Sequence, residues 1–508
     1  MGVRAVILAV FIWAAPTAAG WSQTPADMRS VDCAEFEFHA DDLDDGVTCG
    51  WVEVADRPGG EGPTFQLPVV VAEAYGSGPA GVPVLYLIGG PGIETLSGVP
   101  GGLQDIYWIR FRASHDLIFF DYRGTGRATP RPCAGFDAVA EALRDQAVRG
   151  EAATTARVDA AAACREELLF QGFDPEAWGT ETMARDAHAV VRALGYDRFA
   201  ILATSYGTLP AVELMRAHPQ SVSAVVMDSA FPPDSPNGAE QIRATAEGYA
   251  ALQAACDAEP ECARRHPDIR ADVAAVAARL DSRPLRLGER TVDGEAWLGA
   301  VWVMLLWGDT ARHLPETASR IRAGDEALLA SVVETFGASD VFGGYSHAQA
   351  WLASCRDLWG QQTAPAVAAA AATHPDLARG ISVDEQDRVC AALGAGSADI
   401  HRPIGSDVPT LIYFGPFDPA TPRSDAATAL AGLSRGTLVE VVGQGHGPLN
   451  SSACTRTIAV RFFTEPSAAP DLSCLAKVPP VRLHDPVAFD AFVAGMSELG
   501  VGEAGGRD

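Results

Sequence analysis

The stretch Phe199-Ala200-Ile201-Leu202-Ala203-Thr204-Ser205-Tyr206-Gly207-Thr208 decides how this sequence folds. Its continuous apolar run predicts a short buried strand over Phe199–Ala203. The polar turn Thr204–Gly207 follows, then apolar residues at helical spacing to about His218. Ser221–Asp228 reads as a further strand. Upstream, Met183, Ala187, Val190, Val191 and Leu194 recur at helical spacing, with Thr180 as N-cap and Gly195 as C′ stop. Strand–helix–strand alternation of this kind predicts a parallel α/β sheet.

Working outward, Val82–Ile88 and Asp116–Asp121 are apolar runs ended by Gly or a turn. Gly50–Val54 and Phe65–Ala72 are strand-like. Alternation resumes late with Thr410–Phe414, a helix around Ser424–Leu433, and Thr437–Val442. Between the two halves, residues 235–400 carry Ala and Arg at helical spacing, as in Ala263–Leu280 and Leu314–Val333, with no strong strand run. The expected organisation is one mostly parallel, doubly wound α/β domain from residues 21–234 and 401–508, interrupted by a helical cap over 235–400.

Ser205 sits where a strand turns sharply into a helix, with small residues, Ala203 and Gly207, two before and two after. This placement exposes a nucleophilic hydroxyl. A serine nucleophile needs a base and an orienting acid, which on such a sheet come later in the chain. Asp418 follows the strand 410–414, and His446 follows the strand near 437–442, in Gly443-Gln444-Gly445-His446-Gly447. Both fall in Gly/Pro loops beyond strand C-termini, where doubly wound sheets gather ligands. The backbone N–H of Tyr206 and a donor from Leu87-Ile88-Gly89-Gly90-Pro91-Gly92 are the expected oxyanion hole, with Gly89 the candidate residue. No phosphate-binding loop or dinucleotide fingerprint occurs in a strand–helix setting, and no cofactor is expected.

The 508 residues are 48% apolar and 20% charged, which excludes a disordered chain. With 38 Lys and Arg against 65 Asp and Glu, the formal charge is −27, which disfavours nucleic acid and anionic membrane surfaces as partners. Lys477 is the only lysine, so Schiff-base chemistry is excluded before the C-terminal tail. Residues 1–20 read as an export signal: Arg4, an apolar run from Ala5 to Ala15, then small residues through Gly20. That run is too short to span a bilayer. The mature chain is expected in the periplasm or outside the cell, with no membrane insertion. Ten cysteines in an exported chain imply disulfides. They fall as neighbours: Cys33 and Cys49, Cys133 and Cys164, Cys256 and Cys262, Cys355 and Cys390, Cys454 and Cys474. Sequential pairing leaves no thiol over, although sequence alone does not fix connectivity. No C-x-x-C occurs, and the cluster Asp41, Asp42, Asp44, Asp45, Gly46 is out of step with a calcium loop, so no metal is expected.

At Gly89-Gly90-Pro91-Gly92, Asp121-Tyr122-Arg123-Gly124-Thr125-Gly126-Arg127, Ser205-Tyr206-Gly207-Thr208, Asp418-Pro419-Ala420-Thr421-Pro422 and Gly445-His446-Gly447, the chain resembles a known family. That family is the secreted α/β-hydrolase peptidases of the tripeptidyl and prolyl aminopeptidase type. The resemblance runs from about Cys33 to Cys474. It implies an α/β-hydrolase fold with an inserted helical cap, a Ser205–His446–Asp418 triad, and Gly89 and Tyr206 as oxyanion donors. Two positions depart from the prolyl pattern: Ile88, where His is frequent, and Ile93-Glu94, where Gly and Ser are frequent. The expected reaction is hydrolysis of peptide bonds near the N-terminus of short peptides. A secreted esterase, or another small-molecule hydrolase on the same fold, is the alternative. An aminopeptidase must also bind an α-ammonium, for which Glu94 and Glu240 are candidates by position. Nothing in the sequence sets the oligomeric state.

Overall fold

The computed structural model describes residues 27–501 apart from 40–42, 44, 61, 77–80, 104–105, 235–236, 338–343 and 360–362. The export segment 1–20, most of the acidic cluster near residue 42 and the extreme C-terminal tail lie outside the described residues.

The described residues form eleven strands: β1 (Arg29–Val31), β2 (Val47–Ala55), β3 (Thr64–Ala72), β4 (Val84–Leu87), β5 (Leu117–Phe120), β6 (Phe199–Thr204), β7 (Val222–Asp228), β8 (Leu285–Leu287), β9 (Arg290–Val292), β10 (Thr410–Phe414) and β11 (Gly436–Glu440). Nine form one sheet in the order β1-β2-β3-β5-β4-β6-β7-β10-β11. From β5 to β11 every pairing is parallel, while β1, β2 and β3 form an antiparallel extension. The parallel strands are apolar throughout because both faces are covered: Phe199, Ala200, Ile201, Leu202 and Ala203 of β6 are fully buried.

Strand order reverses around β4, which pairs with β5 on one side and β6 on the other. The segments leaving the C-terminal ends of β4 and β6 pack on opposite faces of the sheet, Leu96 and Phe111 on one and Leu209 and Val212 on the other. Those two ends carry Gly89 and Ser205.

One apolar layer on the sheet holds Met183, Val190, Leu209, Val212 and Leu214. The other holds Phe111, Ile458, Ala459 and Phe463. A separate cluster is built from Leu252, Val276, Trp297, Val301, Leu329 and Val332, with Phe489 and Met496 of the last helix, Pro486–Val501, packed into it.

The helical block 235–400 does not pack as one body. Its later helices, His347–Ser354 and Val383–Leu393, bury Leu352, Val389 and Leu393 in the sheet's own apolar layer. The long helical runs expected there are also broken. Ala263–Leu280 becomes Pro260–Arg265 and Ile269–Ser282, because Pro267 cannot continue a helix and Asp268 caps the next one through the amide of Ala271. Leu314–Val333 becomes Leu314–Arg322 and Glu326–Phe336, interrupted at Gly324, whose φ is 109°, with Asp325 as N-cap. The block also contains the short hairpin of β8 and β9, whose three-residue strands are too brief to show as a sequence pattern. Thr180 is the first residue of its helix, after Gly179 as N-cap.

The five neighbouring cysteine couples are disulfides: Cys33–Cys49, Cys133–Cys164, Cys256–Cys262, Cys355–Cys390 and Cys454–Cys474. Five such bonds require an oxidising environment. No described helix is long and apolar enough to cross a membrane.

Candidate active site

Ser205 takes φ 57°, a left-handed conformation that non-glycine residues rarely adopt. It directly follows β6 and opens the turn into the helix Thr208–Ala217. The sharp bend brings backbones very close, and glycine is needed where they meet. A Cβ on Gly207 would overlap the carbonyl oxygens of Leu87 and Ile88. A Cβ on Gly89 would lie 2.6 Å from Ser205 Cβ. The loop after β4 is thus held directly against the serine.

Asp418 and His446 meet across the neighbouring loops. His446 Nδ1 donates to Asp418 Oδ2 at 2.8 Å, which leaves Nε2 as the ring's acceptor. Asp418 is fully buried, and its Oδ1 accepts from the amides of Ala420 (2.8 Å) and Thr421 (3.0 Å). The Thr421 hydroxyl donates to Asp418 Oδ2 at 2.7 Å and lies 3.1 Å from His446 Nδ1. Burial alone would raise the Asp418 carboxyl, but His446 and these donors bring it below the ordinary range. Burial would lower the imidazole of His446, but Asp418, aided by Asp228, raises it above its usual value.

The serine and histidine segments are linked through β7. Thr204 pairs with Asp228 in the sheet. Beyond it, the Ser229 hydroxyl accepts the amide of Gly447 at 2.9 Å, and Asp228 Oδ1 accepts that of Leu449 at 3.0 Å. Asp228 is buried and its carboxyl is pushed up to about 7, chiefly by desolvation. The helical block touches the same loop, because the amide of His446 donates to the carbonyl of Leu306, at the end of the helix Gly294–Leu306.

Tyr206, the residue after the serine, is anchored by its side chain. Its hydroxyl donates to Asp357 Oδ2 at 2.5 Å, and the Thr180 amide and hydroxyl donate to the same oxygen at 2.8 and 2.9 Å. Asp121 fixes the far end of the glycine loop, with Oδ1 accepting from the amides of Thr95 and Leu96 and Oδ2 from that of Arg127. Arg123 lies beneath, gripping Asp186 through Nε (2.7 Å) and Nη2 (2.8 Å), both side chains buried.

The two candidate ammonium ligands are engaged elsewhere. Glu94 Oε1 accepts from the amide of Gly344 at 3.1 Å. Glu240 is ion-paired with Arg243 one turn along its helix. A cavity of about 260 Å³ lies in the cap, lined by Thr245, Tyr249, Leu298 and Trp302 among others. The Thr245 hydroxyl donates to the carbonyl of Pro419, beside Asp418, at 3.2 Å. The sequence reading did not single out Asp228, Ser229 or Asp357. Asp228 and Ser229 at a strand's C-terminal end were the one available signal, whereas Asp357 lies on a π-helical turn, Cys355–Trp359, far away in the chain.

A family model described as alpha/beta hydrolase fold matches residues 82–264, and a second, described as TAP-like protein, matches residues 379–474. With the sheet order and the serine turn, the first match gives the chain an α/β-hydrolase fold. Its C-terminal segment, residues 379–474, is TAP-like, that is, tripeptidyl aminopeptidase-like, and carries Asp418 and His446. A search of curated proteins found no match. Similar solved structures include a proline iminopeptidase from Mycobacterium smegmatis (15% identity, 79% of this chain and 95% of that one, TM-score 0.38). A thermophilic esterase from Thermogutta terrifontis is comparable (15%, 82% and 98%, 0.37). So is Est816, an N-acyl homoserine lactone degrading enzyme (15%, 81% and 99%, 0.35). Likeness this loose decides nothing about substrate.

Proposed function

We propose that the protein is an exported serine peptidase that hydrolyses peptide bonds near the N-terminus of short peptides. Ser205 is the nucleophile, His446 the general base and acid, and Asp418 its orienter. The observation that carries this reading is the 2.8 Å bond between His446 Nδ1 and Asp418 Oδ2, on the TAP-like segment.

Ser205 Oγ attacks the scissile carbonyl while His446 Nε2 takes its proton. The oxyanion is met by the amides of Tyr206 and the Gly89 loop, and His446 then protonates the leaving amine. Water, activated by the same imidazole, releases the acyl group. Glu94 follows the glycine loop and is the better placed of the two carboxylates for a substrate ammonium. Glu240 suits that role less, because Arg243 already compensates its charge.

The test is a comparison of aminoacyl and tripeptidyl amides, with free or N-acetylated termini, against short acyl esters. Amide cleavage that N-acetylation weakens at least tenfold is expected. Ester turnover without detectable amide cleavage would overturn the peptidase reading in favour of an esterase.

The pH profile follows from His446. Only its neutral form accepts the serine proton, and Asp418 and Asp228 favour the charged form. On lowering pH, kcat/KM should therefore fall through a limb whose midpoint lies above 6.5. A midpoint below 6.5 would contradict the assigned base.

A further inference from the structure

Among the described residues, one cluster brings three metal-ligating side chains within 4.8 Å of one another: His266, Glu316 and His484. It belongs to the cap rather than the serine site. His266 lies in the break between the helices Pro260–Arg265 and Ile269–Ser282, and Glu316 is in the first turn of Leu314–Arg322. His484 is in the segment that leads into the last helix, Pro486–Val501.

His266 is the unusual member. Its side chain is 2% exposed, yet neither ring nitrogen has a hydrogen-bond partner. A buried imidazole that makes no hydrogen bond is costly, and a ligand on one of its nitrogens would offset that cost. Nε2 lies 3.3 Å from Glu316 Oε2. Bonds of about 2.0–2.2 Å to a tetrahedral zinc set neighbouring donor atoms about 3.4 Å apart, the spacing Nε2 and Oε2 already have, and the His484 donor, within 4.8 Å of both, has to draw in.

The backbone around the donors is already fixed. The His266 amide donates to the Cys262 carbonyl at 2.8 Å, and its own carbonyl accepts from Gln253 Nε2 at 3.2 Å. Glu259 accepts from the amides of Leu483 (2.9 Å) and His484 (3.2 Å). The competing cation, Arg265, stands 3.6 Å from Glu316 Oε2, but its side chain is half exposed and can turn to solvent.

We propose that His266, Glu316 and His484 bind one Zn²⁺, clasping the C-terminal segment to the cap. Two imidazoles and one carboxylate, with a fourth position for water, suit zinc and not the hard, oxygen-seeking Ca²⁺ or Mg²⁺. The metal would span segments far apart in sequence, so it would stabilise the folded chain.

The full-length, untagged protein, stripped with a chelator, is titrated with Zn²⁺ by calorimetry and with Co²⁺ by visible absorption. No described cysteine is free, so no thiolate competes. Binding of one equivalent is expected, with a rise in Tm of a few degrees, no comparable rise with Ca²⁺ or Mg²⁺, and four-coordinate Co²⁺ absorption that Zn²⁺ abolishes. His484→Gln and Glu316→Gln should each weaken Zn²⁺ binding at least tenfold and abolish the Tm rise, while hydrolytic turnover stays unchanged. Absence of saturable Zn²⁺ or Co²⁺ binding by the wild-type chain would overturn the proposal. So would affinity unchanged in either variant that retains turnover. The wild-type titrations decide the matter even if a variant fails to fold.

Discussion

Ser205→Ala should lower kcat/KM by about 10⁴–10⁶-fold while leaving the fold intact. The size follows from what is lost: without Oγ no acyl-enzyme forms, and only oriented binding and the oxyanion amides remain to assist water. The backbone should not respond. Ser205 already holds φ 57° as a non-glycine residue, and alanine meets the same strain. The Thr208 hydroxyl grips the Ser205 carbonyl at 2.7 Å, and that bond survives the substitution. Initial rates, with circular dichroism as the folding control, check the result. An unchanged rate would remove the whole triad assignment.

The second large effect falls on stability. Arg123→Met should destabilise the protein by about 3–5 kcal/mol, because it leaves Asp186 buried without its bidentate partner. The same guanidinium donates to the carbonyls of Ala55 (3.1 Å), Asp56 (3.2 Å) and Ala177 (3.2 Å) and lies over the Phe65 ring, so three segments lose a common anchor. The double variant Arg123→Met/Asp186→Leu should recover part of the loss, since the Asp186 charge goes with its partner, while Asp56, 3.6 Å from Arg123 Nη1, keeps Arg57 at 3.6 Å. Chemical denaturation of the three forms measures both values. If the double variant is as unstable as the single, the packing of Arg123 matters more than its charge.

Much of the sheet was legible because its strands are continuous apolar runs. The expected strand 410–414 is β10 residue for residue, and β4 to β7 differ from the expected runs only at their ends. The strand β1 was not legible. Its three residues, Arg29–Val31, carry no apolar pattern and pair only with β2 at the sheet's edge. The cap was read as one helical block because Ala-rich composition supports helices without marking where they stop or what they cover. Helix Val383–Leu393 reads like its neighbours in the chain, yet it packs on the sheet's layer, where the Cys355–Cys390 bond holds it.

Local chemistry singled out Ser205 as a candidate at a strand-to-helix turn, and Asp418 and His446 as candidates in Gly/Pro loops beyond strand ends. It was not enough for the groups that hold them. Asp228 and Ser229 reach the amides of Leu449 and Gly447 across more than two hundred residues of chain, and Asp357 reaches Tyr206 across 151. The sequence by itself determined the α/β class and the positions of the strand-end loops that hold Ser205, Asp418 and His446, because periodicity and turn chemistry are local properties. Only the tertiary structure decided which carboxylates stand beside the histidine, how Glu94 and Glu240 are engaged, and that His266, Glu316 and His484 converge. Those depend on distances between segments that no local pattern encodes.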